Sequence, residues 1–253
     1  MSLSLQLERQ GNWLFRHRGV FGTVLLPLIA VALRWPGLPV SAWSDAAQQH
    51  LAQAGLGVSV LGLLLRAWIV GFVPGGTSGR NAREQRAHAL NTRGAYAVVR
   101  HPLYLANAVI LLGFALGIGS LWFLAVFALG YALFIERVIA AEEAFLAASY
   151  GEEHALWAAR TPLFWPKPAL WQANVLPFSL RTVLRREYNG VMGVALGFFA
   201  IALVRDVGYG GMTLPDWCAQ RPLWCGLLLA GLAVFVLLRT LKRATRLLHV
   251  AGR

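Results

Sequence analysis

The chain has 253 residues, of which 57% are hydrophobic and 13% charged, with a mean hydropathy of +0.56. So large an apolar share exceeds what one soluble core of this length would use, and an all-α polytopic membrane protein is the expected class. The formal charge of +12 does not point to nucleic acid, because the basic residues lie between apolar blocks; topology and anionic lipid headgroups account for them better.

Arg9, Arg16 and Arg18 precede a first apolar segment at about 19–41. Its Ala30-Val31-Ala32 has the outline of a signal cleavage site, but further spans follow, and this helix is expected to be retained. Apolar segments recur at about 51–74, 103–119, 121–137, 190–206 and 222–240, predicting six membrane helices. The third and fourth share a turn at Gly117-Ile118-Gly119-Ser120 and should form a tight hairpin, short or tilted in the bilayer. Between the second and third, Gly75 to Gly94 is polar and glycine-rich and predicts a loop with at most a helical turn. Pro162, Pro166 and Pro168 predict an interfacial loop after the fourth. These boundaries divide the chain into N-terminal helices at 1–74, a core at 75–168 and a C-terminal part at 169–253.

Of the 23 basic residues, only Arg34, Arg205 and Arg221 fall in loops on one side, and Arg66 lies inside a segment. All others fall on the opposite side, which the positive-inside rule assigns to the cytoplasm, together with both termini. A bacterial inner membrane is the expected location. Only two cysteines occur, Cys218 and Cys225, and no Cys-His cluster has metal-ligand spacing, so no metal site is predicted. The two thiols either form a disulfide on the outer side or have no role.

The chemistry concentrates at the ends of the predicted hairpin. Arg100-His101-Pro102-Leu103-Tyr104 opens it; Glu136, Arg137 and the pair Glu142-Glu143 close it, followed by Tyr150-Gly151, His154 and Trp157. Pro102 suits the first turn of a helix, and His101 and Tyr104, three apart, can share a face. Glu136 and Glu143, two turns apart, can share another, whereas Glu142 is rotated from Glu143 by about 100°. A continuous helix therefore favours Glu143 with Glu136, and the adjacent pair stays open as the alternative. All these charges could instead be interfacial caps and ion pairs.

This box and pair, in order and at this spacing, resemble the isoprenylcysteine carboxyl methyltransferase and phospholipid methyltransferase superfamily over roughly residues 75–168. The resemblance implies S-adenosylmethionine as cosubstrate, held by Arg100, His101, Tyr104, Glu142 and Glu143, to which the helix spacing adds Glu136, with Arg100, His101 and Glu143 as the catalytic candidates. It implies methyl transfer to a lipophilic acceptor drawn from the bilayer, without a Ser or Cys nucleophile. Where the superfamily usually has Phe-Gly followed by two tyrosines, this chain has Tyr150-Gly151, His154 and Trp157, and Leu163 stands where an arginine is usual. Acceptor contacts are not carried over from those positions. An amine acceptor would need a base such as His154 or a glutamate; an anionic oxygen would need only cationic orientation. The arginine excess favours the latter, a lipid phosphate or similar headgroup. Membrane sterol and enone reductases carry a similar box and would bind NADPH instead, and a non-catalytic scaffold would bind neither.

Substrate-binding candidates are Arg66, Arg137, His154, Trp157, Arg185 and Arg186. An arginine inside a span marks either a function or a side chain snorkelling to phosphates. Arg185 and Arg186 precede the fifth segment and suit an anionic headgroup or simply set topology. Trp157 and Trp165 are either ligand covers or interfacial belt residues.

Overall fold

The computed structural model describes residues 3–75 and 89–252. Within them the chain forms nine α-helices: α1 Leu3–Arg16, α2 Arg18–Arg34, α3 Asp45–Phe72, α4 Ala95–Val98, α5 Pro102–Ile118, α6 Leu121–Arg160, α7 Leu180–Leu203, α8 Leu214–Gln220 and α9 Pro222–Ala244. Most of the glycine-rich stretch expected to be a loop after α3, including Arg80, Arg83 and Arg86, lies outside the described residues.

Local chemistry sets the helix starts. Ser44, Ser120, Ser179 and Thr213 each accept a hydrogen bond from a backbone N–H in the first turn that follows, and Pro102 and Pro222 occupy first-turn positions where no donor is needed. Each of the six expected apolar segments overlaps a helix, although the helix of the first, α2, stops at Arg34, short of the expected end near 41. Four helices are long and apolar enough to cross a bilayer: Asp45–Phe72, Leu121–Arg160, Leu180–Tyr209 and Pro222–Ala244. The apolar parts of α2 and α5 are shorter, Gly22–Arg34 and Pro102–Ile118, so six full-length spans do not follow.

Two packings position the site. α3 and α5 touch along much of their length because Gly55 and Gly113 face each other and let the backbones close in, and Ser59 Oγ donates to Ile110 O at 2.8 Å. α6 lies against α1, where Arg137 Nε donates to Gln10 Oε1 at 3.0 Å. α6 also runs on past its apolar stretch to Arg160, and kinks at Gly151, whose φ of +50° is open to glycine but strained for other residues.

At the end of the bundle remote from Arg100, the start of α3 is tied to the end of α7. Beyond Leu203, α7 loosens into a π-helical turn, Val204–Tyr209, which buries Asp206. Asp206 accepts from Trp217 Nε1 at 3.1 Å, Arg221 Nε at 3.3 Å and Arg205 Nε at 3.1 Å, while Arg221 also grips Asp45 at 2.8 Å. Removing one partner of a buried ion pair leaves the others unsatisfied. Asp206→Asn is therefore expected to destabilise the protein by about 3 kcal/mol, read as a lower thermal midpoint in detergent; an unchanged midpoint would count against this network. Nearby, the sulfurs of Cys218 and Cys225 stand 3.6 Å apart as free thiols.

Candidate active site

The Arg-His-Pro-x-Tyr box sits where an extended strip of backbone meets the start of α5. Arg100 N donates to Pro162 O at 2.9 Å and Lys167 N donates to Val98 O at 3.0 Å, so the proline loop is laid along residues 98–100. This pairing fixes the direction in which Arg100 and His101 leave the chain. Pro102 then begins α5, and Tyr104 comes round to stack on His101 with ring centroids 5.6 Å apart.

Glu143 reaches into the box from α6. Arg100 Nη1 donates to its Oε2, and its Oε1 lies 2.7 Å from His101 Nε2. His154, three residues past the kink at Gly151, brings its Nε2 to 3.5 Å from Glu143 Oε2. Glu142 Oε2 stands 3.8 Å from His101 Nδ1. One carboxylate thus faces three basic side chains while a second flanks them. Among the described residues, Arg100 Nε, Glu142 Oε2 and His154 Nε2 are buried without a hydrogen-bond partner. Buried polar atoms are costly unless satisfied, and a group of them with both signs of charge is suited to a zwitterionic ligand.

Residues 52–153 match the model of the phospholipid methyltransferase family. The chain is also 33% identical over 168 residues to the cobalt-zinc-cadmium resistance protein CzcN of Cupriavidus metallidurans, covering 64% of this chain and 70% of that protein. It is 31% identical over 170 residues to the nickel-cobalt-cadmium resistance protein NccN of Alcaligenes xylosoxydans xylosoxydans, covering 67% and 70%. The chain belongs to the phospholipid methyltransferase family. It is thereby a membrane methyltransferase. No solved structure matches it.

The family region ends at Glu153, and not every residue singled out from the sequence gathers at the box. Glu136 is exposed and pairs with Arg137 at 3.2 Å, so the expected partnership of Glu136 with Glu143 does not form. Seven residues restore a helix face but also move about 10 Å along the axis, and Arg100 and His101 meet α6 only at the level of Glu143. Arg137 faces α1 instead of the box. Trp157 is not a belt residue: it is 2% exposed, its Nε1 donates to Tyr96 O at 3.0 Å, and its ring meets His154 edge-on. Trp165, by contrast, is exposed. His154, like Trp157, is buried.

Arg66 has partners that the linear sequence did not disclose. Its Nε donates to Glu187 Oε2 at 2.6 Å and its Nη1 to Asn107 Oδ1 at 2.7 Å, joining α3 to α7 and α5. Arg185 and Arg186 are half-buried on α7 immediately before Glu187. Tyr96 was also missed. It lines a cleft of about 260 Å³ with Trp68, Ile69, Phe72, Arg93 and Asn174. Burial pushes its phenol above the usual range; Glu142 adds to that shift, and Arg186 and Arg66 oppose it. Tyr96 therefore stays protonated, a donor lying within the fields of both polar groups. The only sequence signal for these residues was their polarity within or beside apolar helices.

Proposed function

We propose that this family member transfers the methyl group of S-adenosylmethionine to a lipophilic acceptor at the cytoplasmic face of a bacterial inner membrane. The observation that carries the reading is the convergence of Arg100, His101 and His154 on Glu143 beside Glu142, with Arg100 Nε, Glu142 Oε2 and His154 Nε2 buried without a hydrogen-bond partner among the described residues. Arg100 and His101 suit the cosubstrate's carboxylate, and Glu142 and Glu143 its ammonium group and ribose hydroxyls. Tyr104, stacked on His101, holds the imidazole in place. Bound there, S-adenosylmethionine supplies an electrophilic methyl group on a sulfonium. The protein's part is to hold it, exclude water and orient the acceptor. The asymmetric distribution of arginine and lysine supports a cytoplasmic site. The acceptor proposed is a lipid phosphate or another anionic headgroup, because the chain is rich in arginine, Arg93 lines the cleft, and an anionic oxygen needs no base.

Purified protein incubated with methyl-labelled S-adenosylmethionine and a total lipid extract is expected to put label into a lipid fraction. It should bind S-adenosylhomocysteine and not NADPH. Label in no lipid, together with no S-adenosylhomocysteine binding, would sink the reading.

A further inference from the structure

The chain has only two cysteines, and the fold brings them together. Cys218 lies near the end of α8 and Cys225 in the first turn of α9, with Arg221 at the corner between them. Their sulfurs are 3.6 Å apart, Cys225 Sγ donating to Cys218 Sγ. Cys218 is exposed, whereas Cys225 is partly enclosed and packs against the apolar cluster that holds Trp217 and Trp224.

The contact is built into the corner. Each cysteine directly follows an enclosed tryptophan, Trp217 at 0% exposure and Trp224 at 1%. Trp217 Nε1 donates to Asp206 Oδ2 at 3.1 Å, and Trp224 Nε1 to Gln49 Oε1 at 3.3 Å. Gln49 Nε2 in turn donates to Asp206 Oδ2 at 3.5 Å, and Arg221 grips both Asp206 and Asp45. Buried indoles with bonded N–H groups have little freedom, so the backbone is held on both sides of the thiol pair. Bonding asks the two sulfurs to close by about 1.5 Å.

We propose that Cys218 and Cys225 are an oxidisable dithiol, the site at which an external disulfide forms an intrachain bond that ties α8 to α9. The reachable sulfur, Cys218 Sγ, attacks as its thiolate one sulfur of the external disulfide, forming a mixed disulfide and releasing one thiolate. Cys225 Sγ, as its thiolate, then attacks Cys218 Sγ and releases the second. The two cysteine protons end on the two released thiols, so the cysteines are oxidised and the external disulfide is reduced. The pair lies at the end of the bundle remote from Arg100. With the active site on the cytoplasmic face, as proposed above, the dithiol faces the opposite, oxidising compartment, where disulfides persist. Only this orientation is taken from the functional reading; the thiol chemistry does not depend on methyl transfer. The closed loop contains Arg221, so the bond keeps the corner folded over Asp206 when the network opens.

The full chain is made in bacterial cells, its thiols are trapped with acid, and a maleimide counts them before and after reduction, alongside intact mass. The chain is expected to take no label until reduced and two labels afterwards, and to be lighter than its reduced form by two hydrogens. Reduced protein in detergent should reach the same state with oxidised glutathione, its thermal midpoint rising by about 5 °C. Cys225→Ser should stop at glutathione bonded to Cys218, seen as added mass, with no such rise. Two labels without reduction, both from cells and after oxidised glutathione, overturn the dithiol. A bond that joins two chains on a non-reducing gel overturns the intrachain pairing, and an unchanged midpoint on oxidation overturns the stabilising role. Closure by oxidised glutathione in a protein that is fully reduced in cells leaves the dithiol standing and removes the proposed orientation.

Discussion

Glu143→Gln is expected to weaken S-adenosylhomocysteine binding by about 100-fold or more. The amide keeps the volume of the side chain but removes the charge that faces Arg100, His101 and His154. Hydrogen bonds to charged groups contribute about 1.5–3 kcal/mol each, and two are made here, to Arg100 and to His101. Losing their alignment removes the frame that presents Arg100 and His101 to the ligand's carboxylate. Glu142→Gln should cost less, about tenfold, because Glu142 stands 3.8 Å from His101 and holds no other residue of the box. Calorimetry with purified protein, alongside a thermal midpoint to exclude unfolding, measures both. An affinity for the Glu143→Gln protein within threefold of the parent, at an unchanged midpoint, would remove Glu143 from the site.

Gly113→Ala is expected to lower stability by about 3 kcal/mol, or roughly 6 to 12 °C in thermal midpoint. A Cβ at this position would overlap Ser59 Oγ and Gly55 O, and the latter is backbone and cannot swing away. α3 and α5 would have to separate, breaking the bond from Ser59 to Ile110 O. The separation would also reach Arg66 on α3 and Asn107 on α5, whose 2.7 Å contact crosses the same interface. Gly57 provides the contrast. It lies on α3 but has nothing within 4 Å of where its Cβ would stand, so Gly57→Ala should be neutral or slightly stabilising. Thermal unfolding of the two variants in one detergent separates the effect of close backbone approach from the general cost of helical glycine. Equal midpoints would contradict the tight interface.

The apolar segments were legible because each is a local property of the chain. Composition and length place a helix at 51–74 or 222–240 without reference to any neighbour, and Ser120 and Pro102 mark helix starts by what they do to their own backbone. Their lengths were less legible: α6 continues to Arg160 because the polar turns after its apolar stretch carry helix formers and pack against the box, not because they are apolar. Within the box, the meeting of Arg100 and His101 with the glutamate pair was also foreseeable, since a hairpin returns both of its ends to one level.

What the sequence by itself determined is therefore the class of molecule, the helical segments and the end of the bundle where its charged motifs collect. Which partners meet was decided only in three dimensions. Glu136 shares a helix face with Glu143 yet sits two turns below the box. Trp157 looks like an interfacial residue but is enclosed by His154 and Tyr96, and Arg66 finds Asn107 and Glu187 at sequence separations of 41 and 121 residues. The reason is geometric: a helix's sequence specifies the faces it offers, whereas the depth and rotation at which another helix meets those faces arise from packing, here from the close approach of α3 and α5.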